Sequence, residues 1–141
     1  MTIESNNKAL VHQIIQEYWH SRPGLEALAA YIAPGYVHHA AIGDYDFEGF
    51  RRGLGAFIEA CPDVRHVITH LIAEGELVAA HVKMTGTQTG PFGAIAPTGK
   101  VLNLTGAYHC RIADGKLVED WDSWTVLPLF QQTVAVLQMS N

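Results

Sequence analysis

The chain has 141 residues, of which 48% are apolar and 16% charged, with a net charge of −5. That length suits one domain with a single core, and that balance argues against a disordered chain. The acidic surplus argues against nucleic acid and an anionic membrane surface as partners.

The first periodic segment is Lys8–Trp19. Leu10, Val11, Ile14, Ile15, Tyr18 and Trp19 recur at helical spacing, and Ser5, Asn6 and Asn7 offer N-cap oxygens before it. Pro23-Gly24 reads as the break. A second helix follows, with Leu25, Leu28, Ala29 and Ile32 at i, i+3, i+4 and i+7, and Pro34-Gly35 as its stop. Tyr36-Val37-His38-His39 reads as a short extended piece, and a Gly- and Asp-rich loop leads on to Phe47. The third helix carries Phe47, Phe50, Leu54, Phe57 and Ile58 on one face, with Asp44 or Asp46 as cap and Cys61-Pro62-Asp63 as its end.

From Val64 the period changes to two. Val64–Ala73 and Leu77–Thr87 read as strands joined at Glu74-Gly75-Glu76, with Val78, Ala80, Val82 and Met84 on one face. Thr89–Lys100 is a Gly- and Pro-containing loop whose Phe92 and Ile95 suit either a pocket lid or a loop packed on the core. Val101–Ile112 and Leu117–Thr125 are the last strands, joined at Asp114-Gly115, a strong hairpin signal. Pro128–Gln138 reads as a terminal segment that could form a short helix.

Helices first and strands afterwards predict an α+β fold in one domain, residues 1–141. The expected architecture is a curved antiparallel or mixed sheet forming a cone-shaped barrel closed by the N-terminal helices. A cone has an interior, and hence room for a hydrophobic small molecule. Cys61 and Cys110 are expected as buried, reduced side chains. No basic region precedes an apolar run at the N-terminus and no apolar stretch could span a bilayer, so the expected location is cytoplasmic.

Counting back from a two-residue turn, His109 faces Asp120 and Ala107 faces Asp122. One sheet face then carries Thr105, Ala107, His109, Asp120, Asp122 and Trp124. On a concave face, Asp122 would be desolvated and could exchange a proton with carbon beside a carbonyl, while His109 polarised an oxygen. The same grouping would also suit exposed cross-strand charges. Only one of His38 and His39 can point inward. A metal site built from His38 or His39, His109 and Asp122 is not expected, because no HxxxH or HxH spacing joins those residues. His66 and His70 read as surface or packed residues. Arg51 reads as solvated, and neither it nor Arg111 has a sequence reason to reach Asp122.

The chain resembles the SnoaL-like polyketide cyclases, within the nuclear-transport-factor-two-like superfamily. The residues that carry the resemblance run from Asn7-Lys8-Ala9-Leu10-Val11 through Tyr36-Val37-His38-His39, Cys61-Pro62-Asp63, Leu71-Ile72-Ala73-Glu74-Gly75 and Thr85-Gly86-Thr87. They continue through Pro97-Thr98-Gly99-Lys100, Asp114-Gly115-Lys116 and Val118-Glu119-Asp120-Trp121-Asp122 to Leu129-Phe130-Gln131-Gln132. The resemblance implies a cystatin-like α+β barrel, often a homodimer packed through the sheet, with no metal and no organic cofactor. It implies that Asp122 is the general acid/base of an intramolecular aldol ring closure, supported by a histidine for which His109 is the best match by face. It also implies that His38 faces the cavity. Many relatives carry His where this chain has Asp120. The expected site is therefore Asp122 and His109 for catalysis, with Trp19, Tyr36, His38, Phe57, Asp120 and Trp124 around the substrate.

Overall fold

In the computed structural model, which describes residues 2–125, three helices pack on one face of a curled six-stranded sheet. The sheet runs β2-β1-β6-β5-β4-β3. Its strands are β1 (Ile32–Ala40), β2 (Gly43–Tyr45), β3 (Arg65–Glu74), β4 (Leu77–Thr87), β5 (Val101–Ala113) and β6 (Lys116–Trp124). All neighbours are antiparallel except β1 and β6, which are parallel. The α+β class and the helix-backed curved sheet are as the element order predicts, and the terminal segment Pro128–Gln138 lies outside the described residues.

Helix α1 (Ile3–Gln13) begins five residues earlier than the apolar stripe suggests, capped by the Thr2 hydroxyl, which accepts from the Ser5 amide at 3.1 Å. Ile3 is exposed, so the first turn carries no periodic signal. A π-helical turn (Ile14–Tyr18) continues it and brings Trp19 into the core. Helix α2 (Arg22–Leu28) starts before Pro23-Gly24, which the sequence marks as a break. Ser21 caps it, and Pro23 sits in the first turn, where a missing N–H goes unused.

Pro34-Gly35 likewise does not end a helix. A 3-10 turn (Ala29–Tyr31) does, and Pro34-Gly35 lies inside β1, where the pairing with β6 shifts register and Gly35 adopts φ +78°. Helix α3 (Phe47–Ala60) starts at Asp46, whose carboxylate accepts from the Gly49 amide at 2.8 Å. Asp44, the other candidate cap, instead binds His39.

The core lies between the helices and the concave sheet face. Ile15, Leu28, Val78 and Val82 have no exposed surface. Cys61 and Cys110 are buried there and unbridged. The Thr89–Lys100 loop is fastened to the body rather than poised above a pocket. Phe92 packs edge-on against Phe57 at 5.8 Å, and the Gly90 amide donates to the Ala60 carbonyl. Gln88 is the internal tie. Its buried amide donates to the carbonyls of Gly90 and Ala96 and accepts from the Thr98 hydroxyl at 2.7 Å.

Gln88→Ala strands those partners, which should lower stability by about 1–3 kcal/mol. Hydrogen exchange should quicken across Thr89–Lys100 and remain unchanged in β4 and β5. Uniform quickening across the domain would show that Gln88 is not a local tie.

Candidate active site

Two aspartates and a histidine define the candidate site, and the backbone explains why they meet. Asp114 and Gly115 both have positive φ, 51° and 72°, and form the expected two-residue hairpin turn. Ala113 pairs with Lys116 and Ile112 with Leu117, as counted from the sequence. The register then slips, so that Arg111 pairs with Glu119, Cys110 with Asp120 and Tyr108 with Asp122. Val118 is the extra residue of a β-bulge on β6. It reverses the facing of everything beyond it relative to β5.

The consequence is a correction. Asp120, Asp122 and Trp124 face the helices, but their β5 neighbours on that face are Cys110, Tyr108 and Gly106. His109 pairs with Trp121 and is exposed on the opposite face. It cannot take part in chemistry beside Asp122. Arg51 is bound by Glu48 at 2.7 Å and Arg111 by Glu119 at 2.7 Å, so neither serves Asp122.

The histidine that meets Asp122 is His38. Parallel pairing sets His38 directly beside Asp120. The His38 Nδ1–H donates to Asp120 Oδ1 at 2.5 Å, and its Nε2 lies 3.6 Å from Asp122 Oδ2. Asp120 is fully buried and also accepts from the Tyr36 hydroxyl at 2.8 Å. His39 points outward, binding Asp44 and Glu119 and stacking on Trp121 at 5.0 Å.

Burial works against a proton on His38. The hydrogen bond and charge of Asp120, with the charge of Asp122, outweigh it and raise the imidazole above its ordinary range. Burial also raises the Asp122 carboxyl, with Asp120 adding to it. The positive His38 and the Trp124 indole, which donates to Asp122 Oδ2 at 3.0 Å, oppose that rise without cancelling it.

Asp122 and His38 open onto a cavity of about 390 Å³ whose wall is mainly apolar, with Phe50, Phe57, Leu104 and Trp124 among its lining residues. Of the expected substrate contacts, His38, Phe57 and Trp124 stand on this wall. Tyr36, Trp19 and Asp120 do not. Tyr36 and Asp120 lie behind His38, and Trp19 is core, packed on Tyr108 at 4.4 Å.

Two further residues stand on the cavity wall. Tyr108 occupies the position expected of His109. His66, which the sequence leaves as surface or packed, is packed, with Nδ1 3.0 Å from His20 Nε2, and burial lowers its imidazole to about 4. His70 does not share its face, because the register shifts between Ile68 and His70. Mid-strand Gly106 was the available signal for close approach. A Cβ there would sit 2.5 Å from the Trp124 ring.

The family model for SnoaL-like polyketide cyclases matches residues 9–133. Among solved structures, a candidate SnoaL-like polyketide cyclase from Jannaschia sp. CCS1 superposes with TM-score 0.85 at 20% identity, covering 93% of each chain. AclR, a candidate hydroxylase from Streptomyces galilaeus, gives 0.83 at 26% identity over 92% of this chain and 96% of its own. A candidate polyketide cyclase from Acidithiobacillus ferrooxidans gives 0.79 at 28%, over 94% and 96%. No curated protein sequence matches the chain. Among the described residues, no helix is long and apolar enough to cross a membrane.

Gly106→Ala should push the Trp124 indole off β5, break its bond to Asp122 and lower stability by about 1–3 kcal/mol. The indole N–H resonance of Trp124 reports this directly. An unchanged resonance would refute the close-approach account of Gly106.

Proposed function

Because the chain belongs to the SnoaL-like polyketide cyclase family, we propose that it is a cofactor-free acid–base enzyme closing a ring in a poly-carbonyl molecule. The observation that carries this reading is Asp122, a carboxylate with 13% of its side chain exposed, on the wall of an apolar cavity and faced by His38.

Desolvation brings the proton affinity of Asp122 closer to neutrality, where a carboxylate can both take and return a proton. Asp122 removes a proton from a carbon flanked by carbonyls. The enolate attacks a second carbonyl carbon of the same molecule, forming the new C–C bond. Asp122 then returns its proton to the resulting alkoxide. His38, held by Asp120 with its Nε2 toward the cavity, supplies positive charge beside the enolate oxygen. The apolar walls fold the substrate so that its reacting ends meet, an effect on the order of several kcal/mol.

Deuterium uptake at the α-carbon of 2-tetralone in D2O isolates the proton-removal step. The wild type should accelerate it, and Asp122→Asn should slow it about 100-fold or more with the fold intact. Uptake at the buffer rate in the wild type would leave a small-molecule-binding domain and no enzyme.

The pH profile carries its own signs. Activity should be lost as pH falls through the raised Asp122 value and again as pH rises through the raised His38 value. Asp120→Asn removes the main support for the His38 proton, so the alkaline limb should move to lower pH. An unmoved limb would take His38 out of the mechanism.

A further inference from the structure

We infer that Tyr108 is a further catalytic residue of this cavity, its phenol O–H donating to the substrate oxygen on which charge develops when Asp122 removes the proton. The inference rests on the acid–base reading above and extends it.

Four observations converge on Tyr108. The bulge at Val118 makes it the direct cross-strand partner of Asp122. It stands on the wall of the same cavity. Its ring is clamped between two indoles, 4.4 Å from Trp19 and 5.4 Å edge-on from Trp124. Among the described residues no hydrogen bond takes its hydroxyl, and the one N–H of Trp124 goes to Asp122.

The hydrogen-bond inventory then fixes what is left over. An indole N–H can only donate. With that N–H given to Asp122, the Tyr108 hydroxyl keeps its own hydrogen for an acceptor. Tyr36, the other tyrosine near the carboxylates, already gives its hydrogen to Asp120 and stands behind His38. Burial, with the charges of Asp122 and Asp120, keeps the Tyr108 phenol protonated far above neutral pH.

A carbonyl oxygen of a molecule placed against Asp122 is the acceptor this geometry suits. Proton removal from carbon shifts an electron pair onto that oxygen. The phenol hydrogen is shared with it and not transferred, and the abstracted proton resides on Asp122. Because the aromatic clamp fixes the ring beforehand, little reorganisation accompanies the charge shift, the condition under which such donors accelerate most.

Tyr108→Phe keeps the ring between the two tryptophans and removes only the O–H. Equal thermal unfolding midpoints for the variant and the wild type verify the fold. The probe is 2-tetralone labelled with 13C at the carbonyl, read by isotope-edited infrared spectroscopy. In the wild type the bound carbonyl band should lie at lower wavenumber than in Tyr108→Phe. The kcat for deuterium uptake should fall about 100-fold in the variant, with KM little changed. Identical bands in the two proteins, or no bound band in the wild type, overturn the inference. A wild type that shifts the band without exchanging deuterium would overturn the acid–base reading and leave the hydrogen bond standing.

Discussion

Asp120 has no exposed surface, and a carboxylate so placed persists only with partners that replace its lost water. Strand β1 supplies both partners. Tyr36 and His38 are two residues apart and so share a face, and each gives one hydrogen bond to a different oxygen of Asp120. The parallel pairing of β1 with β6 puts His38 level with that carboxylate. A slip of one residue would turn His39 inward and leave Asp120 with a stranded charge. The seam is thus held in register by the need to satisfy one buried acid, as well as by apolar alternation.

The same strand carries a second carboxylate two residues on, and its surroundings differ. Asp122 receives one indole hydrogen bond, faces His38 across 3.6 Å and stands on the wall of a mainly apolar cavity. Asp120 orients the imidazole; Asp122 meets its far side. One histidine between two acids of unequal satisfaction gives a polarised unit: a fixed end buried against Tyr36, and a labile end at the cavity wall.

Much of the fold can be read from the sequence because its signals are local. Alternation in β4, the apolar face of α3 and the Asp114-Gly115 turn each depend on neighbouring residues alone. The resemblance in the stretches around Tyr36–His39 and Trp121-Asp122 points to the family and to His38 and Asp122. What escaped were features decided by three-dimensional fit. Pro34-Gly35 looks like a helix stop, yet serves as an irregularity within β1, because Pro and Gly punctuate strands and helices alike. The Val118 bulge is invisible to residue counting, since Leu117-Val118-Glu119 carries no Gly or Pro. That single extra residue exchanges His109 for Tyr108 on the inner face. Trp19 and Tyr36 are large aromatics whose identity does not say whether they line a cavity or support it from behind.

His38 and Asp120 lie 82 positions apart in the chain, joined across the one parallel seam among the described strands. Bringing such distant segments together is entropically unfavourable until the intervening strands are in place. The acid–imidazole–acid array therefore depends on a contact of high sequence separation that the intervening strands must support. Local opening along β1 would disperse it while the helices and the β3–β4–β5 meander stayed intact. The proton transfer proposed for this site thus requires the completely zipped sheet, and opening of that one seam would be enough to abolish it.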